Sequence, residues 1–290
     1  MQWIDYEAPT SVDDAVHAFK RHGSNARALA GGTDLLVQMR AGRRENGVVI
    51  DLKKIPALSA ISWDPAKGLT LGASTPCYQI YGDADVRAHY PGLIDAVEMI
   101  GGTPIQGRAS VGGNLCNAAP SGDAIPPLIA YGAICHIAGP QGVRHLPVEE
   151  FCVAPGKNAL AENEFLVSLH LPPPEPHSGA RYLRFIPRNE MDIAVAGAGV
   201  NVTLEKGVFR SVRVALASVA PTPLYVAAIG EALAGQAVND ETITKAAEMA
   251  KEAAKPIDDM RGPADYRKHL CAVLTKRALT DAVRRARGES

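Results

Sequence analysis

The sequence predicts an α/β (α+β) fold divided into two domains. Its 290 residues correspond to about two domains at roughly 150 residues each. The first 52 residues alternate between helical and strand patterns, which predicts a small βαβ unit with parallel strands. The clearest linker is Pro172–Gly179, with four prolines in eight residues. We therefore expect a first domain over residues 1–174, subdivided into 1–55 and 56–174, and a C-terminal domain over residues 180–288.

In the first unit, apolar periodicity predicts a helix from an N-cap at Ser11 to a stop at Gly23. A short strand over Arg27–Ala30 is followed by a glycine turn and a short helix over Asp34–Arg40. The apolar, β-branched run Val48–Leu52 predicts the second strand of this unit.

The second part of the first domain predicts a larger mixed sheet with helices. Turn residues between apolar runs predict two hairpins, and proline and glycine bound the helical segments. The expected strands and helices are Ser59–Trp63, Leu69–Ala73, Thr75–Gly82 (helix), Pro91–Gly101 (helix), Ala133–Ala138, Val143–Leu146 and Phe165–Leu171.

Beyond the linker the pattern changes from strands to helices, which predicts an antiparallel sheet covered by helices. A turn at Glu205-Lys206-Gly207 joins two of these strands. The expected strands are Ala180–Phe185, Ile193–Leu204 and Val208–Val219, and the expected helices are Leu224–Ala234, Glu241–Ala254 and Pro263–Arg287.

Composition excludes several classes of protein. The formal net charge is −1, which argues against nucleic acid or an anionic membrane as the main partner. The N-terminal residues carry no targeting signal, and the longest uncharged stretch, Ala124–Val143, is interrupted by prolines and glycines, so we expect no membrane span. The five cysteines form no C-x-x-C pair, which favours free thiols in the cytoplasm over a metal or iron–sulfur site.

Two glycine pairs are the strongest candidates for a binding site. One lies in Ala30-Gly31-Gly32-Thr33-Asp34 and the other in Ser110-Val111-Gly112-Gly113-Asn114. Glycine lets backbone N–H groups approach a phosphate closely, so two such loops could hold one dinucleotide. A lone Gly-Gly is more often only a turn, and neither segment has the spacing of a Walker A loop or of G-x-G-x-x-G. The residues alone therefore indicate two glycine loops and leave an anionic ligand open.

The sequence of these loops resembles that of a known family. Ala30–Leu36 and Gln106–Asn117 are similar to the two signature loops of the FAD-binding medium subunit of molybdenum hydroxylases, the xanthine dehydrogenase and carbon monoxide dehydrogenase family. The resemblance covers essentially the whole chain in the right order and extends to Gly72–Thr75, Gly122-Asp123, Arg188–Ala194 and Arg261–Arg267.

The resemblance implies roles for individual residues of a FAD site. Asp123 corresponds to an aspartate that contacts FAD, Arg184 or Arg188 to a basic residue near the flavin, and Ile193 to a residue beside the isoalloxazine ring. Gln106-Gly107 departs from the Arg-Asn of many relatives, which leaves the local flavin contacts open. The backbone groups expected to hold the pyrophosphate are those of Gly31, Gly32, Thr33, Asp34, Ser110, Val111, Gly112, Gly113 and Asn114, with Ala30 at the edge of the first loop.

The implied function is that of an electron-transfer subunit in an oxidoreductase complex. A large molybdopterin-binding subunit would oxidise the substrate, and a small [2Fe-2S] subunit would pass electrons to FAD and on to an external acceptor. We expect no metal in this chain, because a cysteine-bearing insertion that adds an iron–sulfur cluster in some relatives is absent. A non-flavin scaffold subunit and a free-standing FAD oxidoreductase are the alternatives.

Overall fold

The first unit is a three-stranded parallel sheet flanked by two helices. The computed structural model describes residues 3–43 and 47–289, so Met1 and Gln2, part of the N-terminal stretch searched for a targeting signal, lie outside it. The strand order is β1-β3-β2. The predicted strand–helix–strand unit is confirmed, whereas β1 was not predicted. The elements are β1 (Asp5–Glu7), α1 (Val12–His22), β2 (Ala26–Leu29), α2 (Leu35–Arg40) and β3 (Val48–Asp51).

The second part of the first domain is built on a five-stranded sheet. Its order is β4-β5-β10-β6-β7, and every neighbouring pair is antiparallel, so the expectation of a mixed sheet was wrong. Each predicted hairpin is present. The elements are α3 (Pro56–Ser59), β4 (Ile61–Asp64), β5 (Gly68–Gly72), α4 (Cys77–Gly82), α5 (Ala84–His89), α6 (Pro91–Val97), α7 (Thr103–Gln106), α8 (Val111–Asn117), α9 (Ile125–Tyr131), β6 (Ile134–Gly139), β7 (Gly142–Pro147), β8 (Cys152–Ala154), β9 (Lys157–Asn158) and β10 (Phe165–Leu171).

Two of these helices, α8 and α9, lie where the sequence predicted no helix. The second glycine pair lies in the first turn of α8, which Ser110 caps by accepting a hydrogen bond from the Gly113 N–H at 3.0 Å. Prolines stand at the start of α9, where a missing N–H costs nothing. Helix α9 packs on the C-terminal sheet, where Gly199 leaves room for the backbone at Pro126 and Pro127.

The C-terminal domain is a four-stranded antiparallel sheet of order β11-β12-β13-β14 covered by helices. The predicted architecture is confirmed, although β12 begins at Ala196 rather than Ile193, and the residues predicted to start a helix at Leu224 form β14. The elements are β11 (Ser178–Phe185), β12 (Ala196–Glu205), β13 (Val208–Ala217), β14 (Leu224–Tyr225), α10 (Ala227–Leu233), α11 (Asp240–Ala253) and α12 (Ala264–Ala286).

Strand β11 joins the two domains through a partly buried acidic group on α6. The Asp95 carboxylate accepts hydrogen bonds from Arg181 at 2.8 Å and from Arg285 of α12 at 2.8 Å, and the backbone N–H of Tyr182 donates to it at 3.1 Å. Charge-assisted bonds of this kind are stronger than neutral ones. The start of β11 is therefore held against the first domain at a defined position.

Candidate cofactor site

A cavity of about 470 Å³ lies between the βαβ unit and the larger sheet. Its size falls within the range of small-molecule and cofactor sites. Both glycine segments line it, so the fold brings together two parts of the chain about eighty residues apart. The predicted residues in its wall are Ala30, Gly31, Gly32, Thr33, Asp34, Ser110, Gly112, Gly113 and Asn114.

The first glycine segment is an open loop between β2 and α2. Gly32 has a φ of 78°, a conformation that favours glycine. A side chain at Gly31 would overlap the backbone carbonyl of Arg108, so glycine is required for this close approach. Within residues 3–43 and 47–289, the N–H groups of Gly31, Gly32 and Thr33 donate to no protein acceptor.

The second glycine segment uses its two glycines differently. A side chain at Gly112 would overlap the carbonyl of Ala73, so this glycine allows α8 to pack against the end of β5. A Cβ at Gly113 would meet only the Ser110 hydroxyl, at 3.0 Å, which leaves the space above it to the cavity. The N–H groups of Gly113 and Asn114 already bond to Ser110, so they are not free donors as the sequence suggested.

A buried serine adds a polar group to the cavity wall. Ser74 is 2% exposed, and its hydroxyl has no hydrogen-bond partner among the described residues. A buried hydroxyl without a partner costs free energy unless a ligand satisfies it. Unpaired backbone N–H groups on one wall and this hydroxyl on another fit a pyrophosphate, which offers only acceptor oxygens.

Two family models together match most of the chain. The model described as the FAD binding domain in molybdopterin dehydrogenase matches residues 2–174, and the CO dehydrogenase flavoprotein C-terminal domain matches residues 181–282. The chain belongs to the FAD-binding medium subunits of the molybdenum hydroxylase family. It is a flavoprotein subunit of an oxidoreductase complex, and its cofactor is FAD.

Individual relatives span nearly the full length of this subunit. It is 30% identical over 288 residues to the xanthine dehydrogenase FAD-binding subunit of Escherichia coli, covering 99% of this chain and 98% of that one. It is 31% identical to the carbon monoxide dehydrogenase medium chain of Hydrogenophaga pseudoflava, covering 96% of each. A solved carbon monoxide dehydrogenase structure from that organism superposes with a TM-score of 0.93, at 32% identity and 97% coverage of both chains.

Asp123 of the FAD subunit lies outside the cavity wall, in a buried cluster with two residues of β11. Its carboxylate accepts a hydrogen bond from the Tyr182 hydroxyl at 2.7 Å and from the Arg184 guanidinium at 2.6 Å. Burial raises the pKa of Asp123, and the Arg184 charge and both hydrogen bonds act against that rise. Burial and the adjacent Asp123 carboxylate raise the pKa of Tyr182 well above its ordinary value, so its hydroxyl stays a donor.

The other residues predicted near the flavin ring are not in the cavity wall either. Arg188 and Ile193 lie in the exposed segment between β11 and β12, where the Arg188 guanidinium donates to the Met191 carbonyl at 2.7 Å. Val111, a pyrophosphate candidate and the first residue of α8, is buried in the core instead of lining the cavity. The structure thus places the other pyrophosphate candidates in the cavity wall and the ring candidates outside it.

Two groups of the wall have raised pKa values. Partial desolvation raises the pKa of the Asp34 carboxyl. Burial raises the pKa of Cys116 to about 12, so this thiol is protonated at neutral pH. All five cysteines are free. In the described ranges, no three His, Cys, Asp or Glu side chains come together as a metal site, and no helix is long and apolar enough to cross a membrane.

Sequence reasoning missed several residues that shape the site. Ser74 follows a predicted strand and lies within the Gly72–Thr75 motif, so the sequence marked its position but did not indicate its role. Tyr182 could have been found, because it lies two residues before Arg184 on the same face of β11. Arg108 lies within the Gln106–Asn117 motif, although its bond to the first glycine loop was not predicted, and no pattern marks Lys53, which bonds to the same loop.

Proposed function

We propose that the subunit holds FAD with its pyrophosphate between the two glycine segments. The N–H groups of Gly31, Gly32 and Thr33 and the hydroxyl of Ser74 would donate to the phosphate oxygens. Gly113 would let the ligand come close to α8. The observation that carries this proposal is the cavity itself, where donors without protein acceptors face an uncovered glycine.

We place the flavin ring toward the boundary with the C-terminal domain, near Asp123, Arg184, Arg188 and Ile193. Arg184 is already paired with Asp123, so its side chain is held in one position. Arg188 is mostly exposed, so it can reach a ring at little cost in broken contacts. Ile193 is 48% exposed and offers an apolar surface to an aromatic ring.

In this proposal the subunit passes electrons from [2Fe-2S] clusters of a small partner subunit to an external acceptor. Bound FAD supplies the redox chemistry, while the protein binds and orients it. A large molybdopterin-binding subunit would oxidise the substrate. The complex would act in the cytoplasm, consistent with five free cysteines. Relatives named as medium chains or as a subunit of a dehydrogenase complex support this division of labour.

The binding site is tested by FAD titration of the deflavinated subunit carrying Gly113→Val. A side chain there fills the space above α8, so we expect the dissociation constant to rise tenfold or more, about 1.4 kcal/mol. Gly82→Val is the matched control, because a Cβ at Gly82 meets nothing within 4 Å. Unchanged FAD binding by a folded Gly113→Val subunit would show that the pyrophosphate lies elsewhere.

Electron transfer is tested by reconstitution with the separately purified large and small subunits. The three together should reduce an acceptor in the presence of substrate. Leaving out this subunit should block turnover while the molybdenum centre remains reducible by substrate. Full turnover by the other two subunits would contradict the electron-transfer role.

A further inference from the structure

Two carbonyl oxygens of the first glycine loop are each held by a cationic side chain. The Lys53 ammonium donates to the Ala30 carbonyl at 2.9 Å, and the Arg108 Nε donates to the Gly31 carbonyl at 3.0 Å. These are consecutive peptide groups at the start of the loop. The two cations come from different parts of the chain, just after β3 and just before α8.

The lysine is itself fixed by a buried carboxylate. Lys53 pairs with Asp51 at 2.6 Å, and the Tyr6 hydroxyl donates to the other carboxylate oxygen at 2.7 Å. Asp51 is 5% exposed. Burial alone would raise its pKa, but the hydrogen bonds from Lys53 and Tyr6 outweigh that effect, and the pKa is lowered. The ammonium therefore has a charged partner on one side and the Ala30 carbonyl on the other.

The direction of each carbonyl fixes the direction of the next N–H. A trans peptide is planar, and its C=O and N–H point in opposite directions. The described peptides are all trans. With the Ala30 and Gly31 carbonyls turned toward Lys53 and Arg108, the N–H groups of Gly31 and Gly32 point away from those cations. Gly31 and Gly32 line the cavity, whereas neither cation does.

We propose that Lys53 and Arg108 are positioning residues that present the Gly31 and Gly32 N–H groups to the pyrophosphate of the dinucleotide. Each cation restrains one peptide plane and polarises it, which makes the opposite N–H a stronger donor. Neither side chain contacts the ligand in this arrangement. The proposal rests on the pyrophosphate lying at the glycine loops, as proposed above.

The test uses Lys53→Met and Arg108→Met in the full-length subunit. We expect each to weaken FAD binding five- to tenfold and to shift the ³¹P resonances of the bound pyrophosphate. The visible absorption spectrum of the flavin should stay unchanged, because the ring is proposed to lie near Asp123 and not at this loop. Lys53→Arg, which keeps a charged donor, should restore most of the affinity. Lys54→Met, at an exposed neighbouring lysine, is the control.

The outcomes separate this proposal from the one it rests on. If Gly113→Val loses FAD while both methionine variants keep the wild-type affinity and ³¹P shifts, the positioning role is wrong and the site stands. If Gly113→Val also binds normally, the site is wrong and the positioning role falls with it. Should a methionine variant not fold, Tyr6→Phe at a largely exposed side chain gives a milder test, with an expected two- to threefold loss.

Discussion

The glycine-lined cavity and the Asp123 cluster were both marked by the same family resemblance, yet they differ in how their polar groups are paired. The cavity wall consists largely of backbone and small side chains, and several of its donors, the N–H groups of the first glycine segment and the Ser74 hydroxyl, lack acceptors among the described residues. The cluster is a buried ion pair in which both carboxylate oxygens of Asp123 are already bonded, to Tyr182 and Arg184. The cavity thus presents several unpaired donors, whereas the Asp123 carboxylate is paired within the protein, although the buried Arg184 Nε lacks a hydrogen-bond partner among the described residues.

This difference predicts that substitutions in the two regions have different consequences. Buried donors without acceptors lower the stability of the folded protein until a ligand binds them. A group that pairs buried charges across a domain boundary stabilises one arrangement of the domains. We therefore expect substitutions in the cluster to act mainly on folding, and substitutions at the open side of the cavity to act mainly on FAD affinity.

The largest expected effect is on folding, from Asp123→Ala. Removing the carboxylate leaves the Arg184 guanidinium, which is 5% exposed, without its charged partner. Loss of one partner of a buried pair typically costs about 3–5 kcal/mol. Tyr182→Phe removes a single hydrogen bond to Asp123 and should cost about 1 kcal/mol. Urea unfolding of the deflavinated subunit measures both.

Glu175→Ala is the matched control for Asp123→Ala. Glu175 pairs with Arg210 at 2.7 Å, but both side chains are more than half exposed. Exposed pairs contribute about 0–1 kcal/mol. If Asp123→Ala were no more destabilising than Glu175→Ala, the cluster would add nothing to the Asp95 contacts that hold β11 against the first domain.

A smaller effect should separate the two glycines of the second segment. Gly112→Ala pushes a methyl group into the Ala73 backbone, which cannot move as a flexible side chain could. Overpacking of this kind costs about 1–3 kcal/mol, and we expect the upper part of that range. Gly113→Ala should stay within about 1 kcal/mol of wild type, because the gain in helix propensity offsets its contact with Ser110.

Urea unfolding of Gly112→Ala and Gly113→Ala measures the destabilisation that each causes. Equal destabilisation would mean that Gly113 is also needed for packing, and that its open face is not reserved for a ligand. Gly113→Ala should still lose some FAD affinity, although less than Gly113→Val does. Gly112→Ala should bind FAD once the fraction of folded protein has been taken into account.

Much of the fold was predictable because its local signals agree with the tertiary structure. Ser11 caps α1 as expected, accepting from the Asp14 N–H, and Gly142 and Lys206-Gly207 form hairpin turns at positive φ. Helices α8 and α9 were missed because glycine and proline pairs have low helix propensity. Packing of Gly112 on Ala73 and of α9 on β12 overrides that propensity, and no single-sequence pattern reports such contacts.

The candidate site was predictable only in part, for a similar reason. The glycine pairs are local motifs, so both segments were found, and the fold brings them together. The use of Gly113 and Asn114 N–H groups by Ser110 depends on a helix that the sequence did not predict. The roles of Lys53 and Ser74 depend on distances between segments, which spacing along the chain does not contain. The ring contacts of Asp123, Arg184, Arg188 and Ile193 stay predictions.

The smallest expected effect is a change with pH in the free energy of unfolding. It distinguishes the two buried aspartates, Asp51 and Asp123. The folded-state pKa of Asp51 is lowered, because hydrogen bonds from Lys53 and Tyr6 outweigh its burial. Its ion pair therefore stabilises the folded protein above the ordinary aspartate pKa of about 3.9, and that contribution is lost as the pH falls through the lower folded value.

Asp51→Asn lacks the contribution at every pH. The difference in unfolding free energy between wild type and Asp51→Asn should be constant above about pH 5 and shrink below about pH 4. Other acids with lowered pKa values, such as Glu7 and Glu164, are present in both proteins, so their effects cancel in the difference. A difference that grew on acidification would mean that Asp51 titrates in the raised direction, as Asp123 does, and that its pair with Lys53 does not hold the loop.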